Sequence, residues 1–236
     1  MAWRAIKNLC CSFFEKETAQ GDVLFCLAMS NGSKCEKEYA MISAILRRRS
    51  IRKYRGDAIP KDTVEQILRA GMLAPSSKNR QPWKFVVAGG KAKEEALFAM
   101  REGLLREKRE AILPGSKQHL GGAEYTLQIM QQAPVVVFVV SPLGQDLFRP
   151  LTAEERIYEI CNAQSVGAAM ENMTLEATEL GLGSLWICDT YFAYPELCSW
   201  LHMEGELLAA MALGAADETP PPRPRKQLTE IVDWRI

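Results

Sequence analysis

Four stretches of the chain hold residues whose types and spacing could do chemistry. RRRSIRKYR (47–55) carries five arginines and one lysine, with Ser50 and Tyr54 between them. Guanidinium forks bind phosphate through paired charge-assisted hydrogen bonds, and a serine hydroxyl adds a short donor. The same run could be a solvated basic face or a nucleic-acid patch. A formal net charge of zero and the lack of a second basic stripe weigh against nucleic acid. LAPSSKNRQPWKF (73–85) sets Ser76, Ser77, Lys78, Asn79, Arg80 and Gln81 between Pro75 and Pro82. A plain helix-to-strand turn accounts for a proline and one serine, but not for the whole run. PPPRPRK (220–226) puts Arg223, Arg225 and Lys226 on stiff backbone. Alone it reads as a proline-rich ligand for a partner domain; with the first cluster it could complete one phosphate site.

The fourth stretch, GLGSLWICD (181–189), contains a glycine pair that fails as a dinucleotide fingerprint. Its glycines follow a helical pattern and precede a strand, the reverse of the order such a loop needs. There is no GxxxxGK[ST], HExxH or GxSxG motif. His119 and His202 are the only histidines, so a histidine triad or a metal site is poorly supplied, and both are expected at the surface or at helix ends. Cys188 has no basic partner near it in sequence and reads as a buried strand cysteine rather than a nucleophile. The residues therefore predict neither a catalytic side chain nor a metal.

The elements that must position these stretches follow from composition and period. Of 236 residues, 47% are hydrophobic and 25% charged, ordinary for a soluble globular chain with room for a sizeable core. Seven cysteines with no CxxC pair support neither a zinc ribbon nor an iron–sulfur cluster, and favour a reducing, cytoplasmic setting. The apolar run VLFCLAM (23–29) is too short to cross a bilayer, and no secretory signal is legible, so no membrane partner is expected. Residues 1–40 hold four of the seven cysteines and little periodicity. They read as an N-terminal extension of unclear role, or as an ordinary N-terminal helix.

From Met41 the pattern is clear. Ile42, Ile45 and Leu46 predict a helix over 41–49. A second helix follows Pro60, with Asp62 and Glu65 as a capping box, and must stop before Pro75. KFVVAGG (84–90) predicts a strand. Residues 91–132 predict helices broken at Pro114-Gly115 and Gly121-Gly122, either two surface helices or a cap over a site. PVVVFVV (134–140) predicts a strand buried on both faces. Thr152 and Glu155 form a capping box for a long helix rich in small residues, ended by Gly181. A strand over 184–188, a short helix near 195–201, a strand over 207–214 and an extended proline-rich tail complete an α+β layer fold around one main sheet.

Taken in order, RRRSIRKY with the helix after Pro60, APSSKNRQPWKF, LGLGSLWI, and LGAADETPPPRPRK before LTEIVDW resemble the signature blocks of the FMN-dependent nitroreductase family, from about Met41 to Trp234. The resemblance implies a domain over 41–236 with a mixed central sheet flanked by helices, in an interlocked homodimer with FMN at the interface. It implies that Arg48, Arg49, Ser50 and Arg52 hold the phosphate, the ribityl chain and the flavin N1/C2 edge. Pro75, Ser76, Ser77 and Asn79 would approach the same flavin from the other subunit. Trp186, Ile187 and Cys188 would pass beside the ring, and Arg223 and Arg225 would complete the phosphate site. The implied function is NAD(P)H oxidation coupled to reduction of a small-molecule acceptor, nitroaromatic or quinone-like, by ping-pong hydride transfer. A reductive dehalogenase, an enone reductase, or a flavin-binding regulator without activity are the alternatives.

Overall fold

A computed structural model describes residues 15–17, 23–25 and 41–236. The chain divides into two compact units, Met1–Arg48 and Arg49–Ile236. In the first, β1 (Glu15–Glu17) and β2 (Val23–Phe25) pair antiparallel, and α1 (Ser43–Arg47) is a single turn closed by Arg48 N–H on Ala44 O. This helix is shorter than the 41–49 expected. The remaining expectation for residues 1–40 lies outside the described residues.

The second unit is built on four strands. β3 (Lys84–Gly89), β4 (Val135–Ser141), β5 (Gly183–Ile187) and β6 (Glu206–Gly214) lie in the order β3-β4-β6-β5, with every pairing antiparallel. The sheet is mixed only through an isolated parallel bridge, Ser50 to Ser184, on the β5 edge. The apolar run of β4 sits at the centre and is buried on both sides, as its unbroken β-branched sequence predicts. Val136, Phe138 and Val140 face one helical layer, formed by α3 (Gly90–Arg109), α4 (Leu120–Gln132) and α6 (Tyr194–Leu201). Val137 and Val139 face the other, formed by α2 (Lys61–Met72) and α5 (Ala153–Glu179), where Ile67, Val166, Met170, Met173 and Ala177 close the layer. Among the described residues no helix is long and apolar enough to cross a membrane.

Local rules explain most boundaries. Thr152 and Glu155 close the expected capping box at the start of α5. Gly181, at φ +72°, ends that helix by a Schellman pattern: its N–H reaches Thr178 O and Leu182 N–H reaches Ala177 O. The expected Asp62 cap is not made. The Pro60 carbonyl accepts from Thr63 and Val64, so the helix starts two residues earlier and Asp62 falls within its first turn. α4 runs through Gly121-Gly122, where a break was expected; only Pro114-Gly115 interrupts, in a 3-10 turn over Pro114–His119. Nor are α3 and α4 mere surface helices. Met100, Leu104, Ala123 and Met130 are among the most buried residues of the sheet's first layer.

Candidate functional site

Residues 50–55 form a strap along the β5 edge. Ser50 bridges Ser184, and Ile51 N–H donates to Ser184 O at 3.0 Å. Tyr54 bridges Ala216, Arg55 N–H donates to Ala215 O, and Asp217 N–H returns to Lys53 O. The Tyr54 hydroxyl is buried and donates toward Ile51 O and Ala212 O, at 2.9 and 3.3 Å, so it staples the strap to β6. Burial, with the charge of Glu218 added, pushes its phenol far above the usual range. Glu218 accepts from Arg52 N–H, and the Arg52 guanidinium folds back on Ser50 O at 3.1 Å. A half-buried guanidinium and a serine are thereby fixed two residues along the sheet edge from Trp186. Gly183 is obligatory beneath this strap, because an added Cβ would stand 2.9 Å from the Ile51 side chain.

Residues 75–81 form a second polar segment, the arm. A 3-10 turn over Ser77–Asn79 follows α2, and Lys78, Asn79 and Gln81 all take left-handed backbone, with φ of 53°, 53° and 48°. Three such residues in four positions store strain that tertiary structure or a ligand must hold. Gln81 N–H donates to Ser76 Oγ, and Ser77 N–H donates to Ser165 Oγ of α5 at 3.3 Å. Arg80 lies 4.9 Å over the Tyr158 ring, which settles its direction; Lys78 is exposed.

The third segment is the exit of β5. Trp186 is exposed beside α5, where Gly167 leaves room: a Cβ there would touch its ring at 3.6 Å. Ile187 is buried. Cys188 corrects the sequence reading. The strand ends at Ile187, a 3-10 turn begins at Asp189, and this places Cys188 on the exposed side of a cavity rather than inside the sheet. Desolvation and the neighbouring Asp189 charge push its thiol up, so it is a neutral thiol near pH 7 and not an activated nucleophile.

That cavity, about 390 Å³, is lined by Cys188, Asp189, Tyr191 and Phe192 on one side and by Leu113, Ser116 and His119 on the other. Sequence reading missed Ser116, His119 and Asp189. The 3-10 turn that carries the first two hangs from Glu107. This buried carboxylate accepts from Ile112 and Leu113 N–H and pairs with Arg106, which in turn grips Glu196. These donors outweigh the cost of burial and hold the Glu107 carboxyl below its usual range. Asp189 accepts from Thr126 Oγ1. A larger groove, about 780 Å³ between α3 and α6, contains none of the residues that the resemblance assigns to the flavin site, although His202 lines it.

The structure brings Arg49, Ser50 and Arg52 to the same sheet edge as Trp186, Ile187 and Cys188. It ties the arm to α5 at Ser77, whose N–H donates to Ser165 Oγ, with Ser76 and Asn79 flanking that bond. Arg48 closes α1 in the first unit. Arg223 and Arg225 lie beyond the strap on a run exposed from 221 to 230, where Arg225 donates to the adjacent Pro224 carbonyl at 3.3 Å.

Comparison with known proteins gives the same outline. The family model described as Nitroreductase family matches residues 45–215. A protein of Archaeoglobus fulgidus assigned as an NADH dehydrogenase/NAD(P)H nitroreductase is 30% identical over 146 residues, 62% of this chain and 66% of its own. The nitroreductase NfnB of Mycolicibacterium smegmatis is 29% identical over 196 residues, 73% of this chain and 81% of its own. A Desulfovibrio desulfuricans structure described as a nitroreductase in complex with FMN superposes with a TM-score of 0.60 at 26% identity, covering 82% of this chain and 95% of its own. The match spans 66%, 27% and 59% of the length of three curated relatives, under two thirds of each.

Proposed function

The chain belongs to the nitroreductase family, and from that premise we propose that it is an FMN-dependent NAD(P)H oxidoreductase that reduces nitroaromatic or quinone-like acceptors. The observation that carries the proposal is the shared edge. The strap is bonded onto β5 through Ile51 N–H and Ser184 O, two residues from Trp186, with the Arg52 guanidinium folded back on Ser50 O, and β5 runs out beside a cavity at Cys188. The donor set fits FMN. Arg49 and Arg52 supply charge for a phosphate or for the electron-rich N1/C2 edge, and Ser50 supplies a hydroxyl. Ser76, Ser77 and Asn79 supply short donors, Asn79 from left-handed backbone. Arg223 and Arg225 add phosphate ligands from the tail.

FMN, when bound, carries the hydride alternately from NAD(P)H to the acceptor, which is why the chain needs neither a nucleophile nor a dinucleotide fold. The protein's part is orientation and electrostatics. Arg52 stabilises negative charge at the ring edge, the β5 exit offers backbone donors beside the ring, and the cavity shapes what approaches it.

A second copy completes the site. Within one copy Ser165 holds the arm and Gly167 faces Trp186, and two residues on a helix turn by about 200°. α5 therefore stands between arm and ring pocket, and the arm serves the pocket of a partner. Leu73, Ile157, Tyr158 and Ile160 leave large apolar surface on α2's end and α5, as an interface requires. The reading keeps the cytoplasmic setting expected from cysteine usage. Titration with FMN, followed by flavin fluorescence and by sedimentation, tests it. The expected result is one FMN per chain on a dimer, and protein that takes up no FMN refutes the reading.

A further inference from the structure

The sheet-facing stripe of α5 changes character at one end. Val166, Met170, Met173 and Ala177 pack on Val137, Val139, Ala209, Met211 and Leu213. One turn before Val166 the same stripe presents Asn162, and one turn earlier Glu159. On the sheet, two residues beyond Val139, β4 presents Ser141 to the same face. Its register partner is Glu206, the first residue of β6, and directly opposed residues of an antiparallel pair share a face. Glu206 is 9% exposed, and the Glu159 carboxyl lies close enough to act on it. The Ser141 hydroxyl (0% exposed) and the Asn162 amide nitrogen (1%) are buried, and neither has a partner among the described residues.

This arrangement needs something the side chains do not supply. Two neighbouring carboxyls, one of them buried, resist double ionisation, so one of them holds a proton. A buried hydroxyl and a buried amide N–H₂ without partners each cost desolvation energy unless a small polar molecule satisfies them. Three or more metal-ligating side chains are not grouped among the described residues, so a metal is not the occupant the geometry suggests. We propose that Glu206, Glu159, Ser141 and Asn162 form a buried site that binds one proton, shared by the two carboxyls, and water that bridges the serine and the asparagine.

The surroundings favour retention of the proton. Among the described residues the titratable groups whose fields reach Glu206 are Glu159 from α5, Asp146 from the loop after β4, Tyr191 from the 3-10 turn, and Tyr194 and Cys198 from α6; none carries a positive charge. Burial first, and Glu159 and Asp146 next, raise the Glu206 carboxyl to about 8. The site is also rigidly roofed. Gly144 is the only residue type that fits above the Glu206 Cβ, since an added Cβ would stand 2.5 Å from it. Gly205, at φ +103°, lets the chain turn against Ser141 O. The sign of the linkage follows. The native state holds a proton that the unfolded chain releases above its ordinary value of 4.5, so stability falls as pH rises from there to about 8 and then levels.

Infrared spectra of the full-length protein, taken from neutral pH to well above pH 8, test the proposal. They should show one protonated carboxyl per chain that is lost with a midpoint near pH 8. Glu206→Gln should remove that titration and also the loss of thermal stability between neutral pH and pH 8. Glu159→Gln, which leaves Glu206 buried without its acidic partner, should move the midpoint to lower pH. Ser141→Ala, a variant that keeps both carboxyls, should shift the midpoint while the fold is retained. Absence of a protonated carboxyl at neutral pH, or an unchanged titration in Glu206→Gln, overturns the proposal. So does a midpoint that falls on addition of potassium or sodium chloride but not of an equal ionic strength of a bulky organic cation, because the occupant is then a metal ion. No readout depends on FMN, so the outcome is separate from that of the flavin reading.

Discussion

The strap and the arm are both short polar segments beside a helix or strand, yet they are held in different ways. The strap over 50–55 is bonded backbone to backbone on both sides, to Ser184 and to 215–217, and a buried tyrosine hydroxyl fastens it. The arm over 75–81 rests on α5 through one long N–H to Ser165 Oγ and the Arg80 guanidinium over the Tyr158 ring, and carries three left-handed residues. Backbone pairing and a buried staple make a segment whose shape exists before any ligand arrives. A strained segment with few anchors is stable only where something else completes its contacts. On the proposed reading, the strap is the preformed half of the cofactor site, and the arm is the half that a partner copy and the flavin would finish.

That contrast can be broken most severely at the apolar face of α5. Ile160→Glu would bury an unpaired carboxylate at the interface, which costs several kcal/mol. We expect monomers by sedimentation, little change in thermal stability of the isolated fold, and FMN affinity reduced on the order of 100-fold or more. Arg52→Ala removes one charged donor from the strap and leaves its backbone bonds. A charge-assisted hydrogen bond contributes about 1.5–3 kcal/mol, so FMN should bind about 10- to 100-fold more weakly, and the bound flavin's reduction potential should fall. Arg52→Lys should recover only part of both.

Tyr54→Phe attacks the staple. It strips a donor from the Ile51 and Ala212 carbonyls, and denaturant unfolding should show a loss of about 1–3 kcal/mol. The matching change at the arm, Ser165→Ala, should cost less than about 1 kcal/mol, because the freed Ser77 N–H is only half-buried and can turn to water. The smallest effect is expected at Lys78→Gly. Relief of left-handed strain and the greater freedom of the unfolded chain roughly cancel, leaving stability within about 1 kcal/mol of the parent. A larger loss at Ser165 than at Tyr54 would erase the distinction between the two segments.

Much of the frame was legible because it depends on local rules. The unbroken apolar run of β4, the stripe from Val166 to Ala177, the Thr152–Glu155 box and the Gly181 stop each announce an element from a few adjacent residues. The polar character of both strap and arm was equally plain. Features that rest on distant partners were not. Asp62 lost its cap to a proline carbonyl whose direction depends on the incoming chain. Cys188 changed from buried to exposed because β5 stops one residue short and the following turn swings the backbone. Ser116 and His119 reach the cavity only because Glu107, in the last turn of α3, catches the next loop by its N–H groups. Nothing in the sequence around Glu206 shows that Glu159 will fold against it.

The central claim is that this chain holds FMN and passes electrons from a nicotinamide nucleotide to a small acceptor. Anaerobic addition of NADH or NADPH to the FMN-loaded dimer tests it most directly. The account predicts that the flavin absorbance bleaches and returns when a nitroaromatic or a quinone is added. Bound flavin that neither nucleotide bleaches would contradict it.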